Sequence, residues 1–284
     1  MATTVGAGST LSSDMIDDPR GRIDYDETGT GPTLVFVPGS CSTGAAWRPI
    51  VAALGGGFRC VTTSLLGYGG TAERRSATDT ALAHEMDILE AVVAKAGGPV
   101  HLIGHSFGGF VSLSVALRAR VPLASLVIAE APVASLLQGA GEHAPYAQFR
   151  AMTDIYFASH AGGDPEAIAA MIDFYGGAGT FASWPPRVRA YAVDTTPVNI
   201  LDWASAYDFP LTPAMVAAIG LPALVMYGGV SHPAAQRANA LLAQSIPGAA
   251  LSVIDGAAHF MIATHAAELA HLIAAHVRKV EAMG

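Results

Sequence analysis

Apolar residues along this chain fall into two alternating patterns. Thr33–Val37, Val100–Ile103, Leu123–Ala129 and Leu221–Tyr227 are short, nearly continuous apolar runs, as expected for strands buried on both faces of a sheet. Between and around them, Trp47–Leu54, Asp79–Ala96, Phe107–Ala119, Ala234–Ser245 and Thr264–Val280 place apolar residues at helical spacing. Arg22–Tyr25, Phe58–Ser64 and Ala250–Ile254 complete the expected strands. Gly29-Thr-Gly-Pro32 forms a turn that would make the strands at 22–25 and 33–37 neighbours. Such alternation predicts an α/β fold with a mostly parallel, doubly wound sheet.

The alternation stops at Val133 and resumes at Gly220. Residues 133–219 are rich in aromatics and broken by the Gly176-Gly-Ala-Gly179 and Trp184-Pro-Pro186 turns, with no strong strand pattern. The expected organisation is a core of residues 19–132 and 220–284, an inserted and mainly helical cap over 133–219, and a small, polar, acidic lead-in, Met1–Asp18, expected to be flexible.

Composition narrows the function classes. The 284 residues are 51% apolar and 13% charged, with a formal net charge of −8 and no Lys/Arg cluster, which argues against nucleic acid as a partner. No run reaches the roughly 18 apolar residues of a membrane span, and the start lacks the basic-then-apolar order of a secretory signal, so a cytoplasmic location is the expectation. Cys41 and Cys60 have neither a disulfide framework nor metal-ligand spacing.

The chemistry concentrates at Gly104-His-Ser-Phe-Gly108, where an apolar strand runs into an apolar helix. A Gly-x-Ser-x-Gly sequence in that setting makes a turn sharp enough to strain the serine and lift its hydroxyl clear, while the flanking glycines remove side chains that would collide. Ser106 is therefore the candidate nucleophile. The Phe107 amide, at a helix N-terminus, is placed to donate to a developing oxyanion. A serine needs a base, and His259, in Asp255-Gly-Ala-Ala-His-Phe260 after the last strand, can reach over the sheet edge to supply one. His105 belongs to the turn itself and is expected to point away, whereas His265, His271 and His276 fall on or beside the closing helix.

With these motifs in hand, the chain from Arg22 onward resembles the α/β-hydrolase fold superfamily. The elbow, the late loop histidine, the Pro38-Gly39-Ser40 turn and the position of the cap all match its pattern. The resemblance implies that the Ser40 amide is the second oxyanion donor, although Pro38 stands where many relatives have histidine. It also exposes a departure. Relatives commonly carry the triad aspartate in the loop after the strand ending at Tyr227-Gly228, and here that loop reads Gly229-Val-Ser-His-Pro233, without a carboxylate.

Glu130, directly after Leu123–Ala129, is the favoured substitute. Some branches, certain haloalkane dehalogenases among them, take their acid from this strand end, and a carboxylate abutting so apolar a strand needs a partner. Asp255, Asp202 and Asp208 are the alternatives.

The implied reaction is acyl transfer to water through an acyl-enzyme on Ser106, without a metal or organic cofactor. Serine rather than aspartate as nucleophile disfavours dehalogenase and epoxide-hydrolase routes. Small or medium carboxylic esters are the expected substrates, with lactones or thioesters next. Carbon–carbon bond hydrolysis, perhydrolysis or lyase chemistry on the same serine, and a non-catalytic binding protein, are the competing readings. Trp184, Tyr175 and Trp203 are candidates for lining the substrate pocket, with packing inside the cap as their other explanation. Phe174–Gly179 with Trp203 also resembles the cap of a group of bacterial α/β-hydrolases, which adds no substrate.

Overall fold

A computed structural model of the protein describes residues 13–283. Eight strands form one sheet: β1 (Ser13–Ile16), β2 (Ile23–Gly29), β3 (Thr33–Val37), β4 (Arg59–Thr62), β5 (Val100–His105), β6 (Leu123–Ala129), β7 (Ala223–Gly228) and β8 (Ala250–Ile254). Their spatial order is β1-β2-β4-β3-β5-β6-β7-β8. β1/β2 and β2/β4 pair antiparallel, and every later pair is parallel.

The apolar runs form strands here because both of their faces are covered. Val35 and Val37, Leu102, Leu126 and Ile128, and Val225 point into one buried layer; Leu34 and Phe36, Ile103, Val127 and Ala129, and Leu224 and Met226 point into the other. This is the period-two alternation of a strand sandwiched between helices. The first layer includes α2 (Ala83–Ala96) and α3 (Phe107–Arg118); the second is closed by α1 (Arg48–Leu54) together with the final helix described below. Burying each such Val, Leu or Ile stabilises the fold by roughly 1.5–3 kcal/mol.

Between β6 and β7 the chain makes α4 (Ala134–Gly139), α5 (His143–Ala161), α6 (Ala169–Gly176), α7 (Thr180–Ser183), α8 (Pro186–Asp194), α9 (Thr196–Asp208) and α10 (Pro213–Val216). Trp184-Pro185-Pro186 separates α7 from α8: Trp184 is extended, and Pro186 takes the first position of α8, where its missing N–H costs no hydrogen bond. The core resumes with β7, α11 (Pro233–Ser245), β8, the short α12 (Met261–Thr264) and α13 (Ala266–Glu281).

Three local expectations are corrected. β2 and β3 are not neighbours, since β4 lies between them and pairs with both; a glycine-rich turn does not dictate pairing when a later strand fits the gap. Ser13–Ile16 is not a flexible lead-in but the edge strand β1, paired with Ile23–Asp26. Positions 1–12 of that lead-in lie outside the described residues. The helix expected from Asp79 begins at Ala83, because the Ser76 and Asp79 backbones exchange hydrogen bonds with each other. Both cysteines are free thiols, Cys60 buried and Cys41 half-buried. Among the described residues, no helix is long and apolar enough to cross a membrane.

Candidate active site

Ser106 lies between the end of β5 and the start of α3, with φ 53° and ψ −128°. The turn is possible only with glycine on either side. A Cβ on Gly104 would sit 2.5 Å from the Gly108 carbonyl oxygen, and one on Gly108 would sit 2.2 Å from the Pro38 carbonyl oxygen. Both are far inside van der Waals contact, so the requirement is steric. Phe107 is the first residue of α3, where a backbone N–H has no intrahelical acceptor.

Facing the elbow is the Pro38-Gly39-Ser40 turn that follows β3. A Cβ on Gly39 would approach the Ser106 Cβ to 2.8 Å, so this backbone lies directly against the candidate nucleophile. Cys41, next in the chain, has φ 55°. Among the described non-glycine residues, four have positive φ: Cys41, Ser106, Glu130 and the helix-capping Ala119. Three of the four therefore stand just past the ends of β3, β5 and β6, and each costs of order 1–3 kcal/mol in that region.

The three polar groups form one chain. His259 Nε2 is 2.9 Å from Ser106 Oγ, and His259 Nδ1 is 2.9 Å from Glu130 Oε1. An ionised carboxylate only accepts, so the proton is on Nδ1, leaving Nε2 free to accept from the serine hydroxyl. Glu130 is fully buried. Its Oε2 accepts from the Gly228 amide at 2.9 Å and from Ser231 Oγ at 2.6 Å. Burial pushes the Glu130 carboxyl up, but the hydrogen bond and charge of His259, the Gly228 amide and the Ser231 hydroxyl together hold it below its ordinary value.

His105 does not point away. Its Nε2–H donates to the backbone carbonyl of His259 at 2.9 Å, pinning the loop that carries the imidazole. Burial, reinforced by the neighbouring His259, pushes the His105 pKa down to about 3, so it acts as a neutral donor. The pattern-based reading missed this residue because nothing in Gly104-His-Ser fixes where a strand-end side chain lands.

A cavity of about 410 Å³ opens over these groups. Its floor includes Gly39, Ser40, Ser106 and Phe107; its roof includes Met171 and Tyr175 of α6, Trp184, and Asn199 and Trp203 of α9. Tyr175, Trp184 and Trp203 are thus all at the cavity. They also pack on one another's surroundings: Tyr175 stacks on Trp203, its ring centroid lies 4.1 Å from that of His259, and Trp184 meets Phe260 edge-on at 5.0 Å. These aromatics therefore line the cavity and pack against neighbouring rings at the same time. Among the described residues, no Lys or Arg lines the cavity, and the one acidic side chain that does is Asp202.

Neither Asp255 nor Asp208 is the carboxylate that meets His259. Asp255 is exposed, and Asp208 accepts from Thr80. Asp202 does fold back to the core, though to Ser40 rather than to His259. Its carboxylate accepts from Ser40 Oγ at 2.5 Å and Tyr68 Oη at 2.7 Å, and pairs with Arg75 at 2.8 Å. A faint trace of this was present in the sequence: Asp202 shares one helical face with Asn199, Trp203 and Ala206.

Comparison with known proteins agrees with this architecture. A stretch of 109 residues is 33% identical to haloalkane dehalogenase 2 of Mycobacterium tuberculosis, covering 38% of each chain. Another, of 105 residues, is 33% identical to the pimeloyl-[acyl-carrier protein] methyl ester esterase of Aliivibrio salmonicida, covering 37% of this chain and 38% of that one. These matches span well under half of either relative. Among solved structures, a thermophilic esterase from Thermogutta terrifontis superposes with a TM-score of 0.73 at 20% identity, over 96% of this chain and 99% of that one. MenH from S. aureus gives 0.70 at 16% identity, over 90% and 98%. At such identities the likeness is one of fold. The sequence model of the alpha/beta hydrolase family matches residues 34–272, most of the chain, and the protein belongs to that family.

Proposed function

We propose that the protein is a serine hydrolase of small or medium carboxylic esters. The observation that carries this reading is the continuous hydrogen-bonded chain from Ser106 through His259 to a buried carboxylate. In this reading His259 Nε2 takes the Ser106 proton as Oγ attacks the ester carbonyl, and the oxyanion is met by the amides of Ser40 and Phe107. The imidazolium returns its proton to the leaving alcohol, giving an acyl-enzyme. Water, deprotonated by the same imidazole, then releases the acid and restores Ser106. Glu130 holds the ring in the required tautomer and stabilises its charged form. Residues 133–219 serve as a cap, and Tyr175, Trp184 and Trp203 shape an apolar substrate site.

Two physical arguments favour esters over the family's other chemistries. Displacing a halide with a serine oxygen would leave an ether, which water attack at a carbonyl cannot resolve; an acyl ester on the same oxygen turns over. Carbon–carbon hydrolysis of a carboxylated diketone calls for a cation to hold the carboxylate, and among the described residues no Lys or Arg lines this cavity.

A fluorophosphonate probe, which reacts only with an activated serine, is expected to label the protein and not its Ser106→Ala variant. A series of p-nitrophenyl esters should show turnover, with a vinylogous diketone left intact. An unlabelled protein that turns over no ester overturns the proposal.

A further inference from the structure

Asp202 is an expensive residue in its place. It is 1% exposed, in a helix whose neighbouring residues face an apolar cavity. A carboxylate there costs several kcal/mol of desolvation unless it is fully partnered. Both of its oxygens are occupied. Oδ1 is 2.8 Å from Arg75 Nη1, and Oδ2 accepts from Ser40 Oγ at 2.5 Å and Tyr68 Oη at 2.7 Å. Arg75, its side chain fully buried, is fixed in turn by Glu73 and Glu85 at 2.9 and 3.2 Å. One carboxylate of α9 thus gathers three partners from the Ser40 turn and the loop after β4, more than 120 residues away in the chain.

The partner that matters for chemistry is Ser40. Cys41, the next residue in the turn that carries its amide, is held at φ 55°, a conformation that a non-glycine residue keeps only when its surroundings impose it. The position of the turn is constrained tightly, with Gly39 lying against the Ser106 Cβ. Donors to an oxyanion act only if they are already aimed, and a misplacement approaching 1 Å forfeits most of their effect.

We infer that Asp202 is a positioning residue that anchors the Ser40 turn through its hydroxyl, so that the helical insertion supplies part of the oxyanion machinery as well as the roof. This inference rests on the serine-ester reading of the site. The hydroxyl of Ser40 holds the backbone, and the backbone N–H does the work on substrate.

Ser40→Ala tests it most cleanly, because it keeps the amide and leaves Asp202, Arg75 and Tyr68 paired. The expected result on a turned-over p-nitrophenyl ester is a kcat lower by about 10- to 100-fold with KM within about twofold, the pattern of an interaction made only in the transition state. Amide hydrogen exchange over residues 39–42 should accelerate at least about tenfold, since the local opening loses its closing hydrogen bond. Ser40→Thr, which restores a hydroxyl, should recover both readouts. Should Ser40→Ala not fold, Asp202→Asn, which retains one acceptor oxygen, carries the same measurements, with a kcat loss of about tenfold expected.

Unchanged exchange in the folded variant overturns the anchoring, and faster exchange with unchanged kcat overturns its catalytic consequence. Exchange needs no substrate. If the unaltered protein turned over no ester, the serine-hydrolase reading would fall by itself and the exchange result would still decide the anchor.

Discussion

The ends of two adjacent strands, β6 and β7, do opposite things. β6 runs without interruption into Glu130, at φ 49°, whose carboxylate reaches His259. β7 ends at Gly228 and passes into a loop with no acid, where Ser231 instead donates to Glu130. The loop in which relatives commonly carry the triad acid here supplies a hydrogen-bond donor to Glu130 instead. Adjacent strands are about 4.8 Å apart, a distance that a glutamate side chain spans, so an acid from either strand end can arrive behind the same imidazole. What the proposed mechanism requires is a carboxylate oxygen at that point, whichever loop delivers it.

The most forceful way to break the comparison is Glu130→Gln. It keeps the shape but replaces an acceptor-only group, and kcat should fall by about 10³- to 10⁴-fold with the fold retained, as judged by circular dichroism and steady-state ester kinetics. Activity equal to that of the parent would remove Glu130 from the triad. The comparison sharpens if the acid can be handed back. Combining Glu130→Ala with Ser231→Asp should recover at least about tenfold in kcat over Glu130→Ala alone, since Ser231 Oγ already lies 2.6 Å from the carboxylate it would replace. A double variant no better than the single one would show that the β7 loop no longer delivers an acid. The smallest effect belongs to Asp255→Asn. This exposed residue shares the loop of His259, and its kcat should stay within about twofold; a loss rivalling that of Glu130→Gln would mean the wrong carboxylate has been assigned.

Most of the frame was legible from pattern, because central strands covered on both faces must be apolar throughout and their helices must repeat at helical spacing. Pairing was less so. β2 reads as a companion of β3 only until β4 is known to fit between them, and the periodicity of one strand says nothing of its neighbour. Ser13–Ile16 is a four-residue edge strand, too short for its signature to be distinct from that of a loop. At the site, Ser106, His259 and Glu130 were found together because motif, loop position and burial cost each constrained one of them. His105, Ser231 and Asp202 were missed as partners because their roles depend on which distant backbone or hydroxyl they meet. Asp202 and Ser40 are separated by 162 positions, and no local rule connects them.

The backbone kinks at Cys41, Ser106 and Glu130 give the sheet two unequal rims. The rim bearing the proposed site is held in conformations that an L-residue disfavours, so the chain would fold more securely with glycine at those places and lose the side chains of that site. Robustness and reactivity are in competition along a single edge of this molecule, and efforts to harden it against heat should begin at the opposite end of the strands.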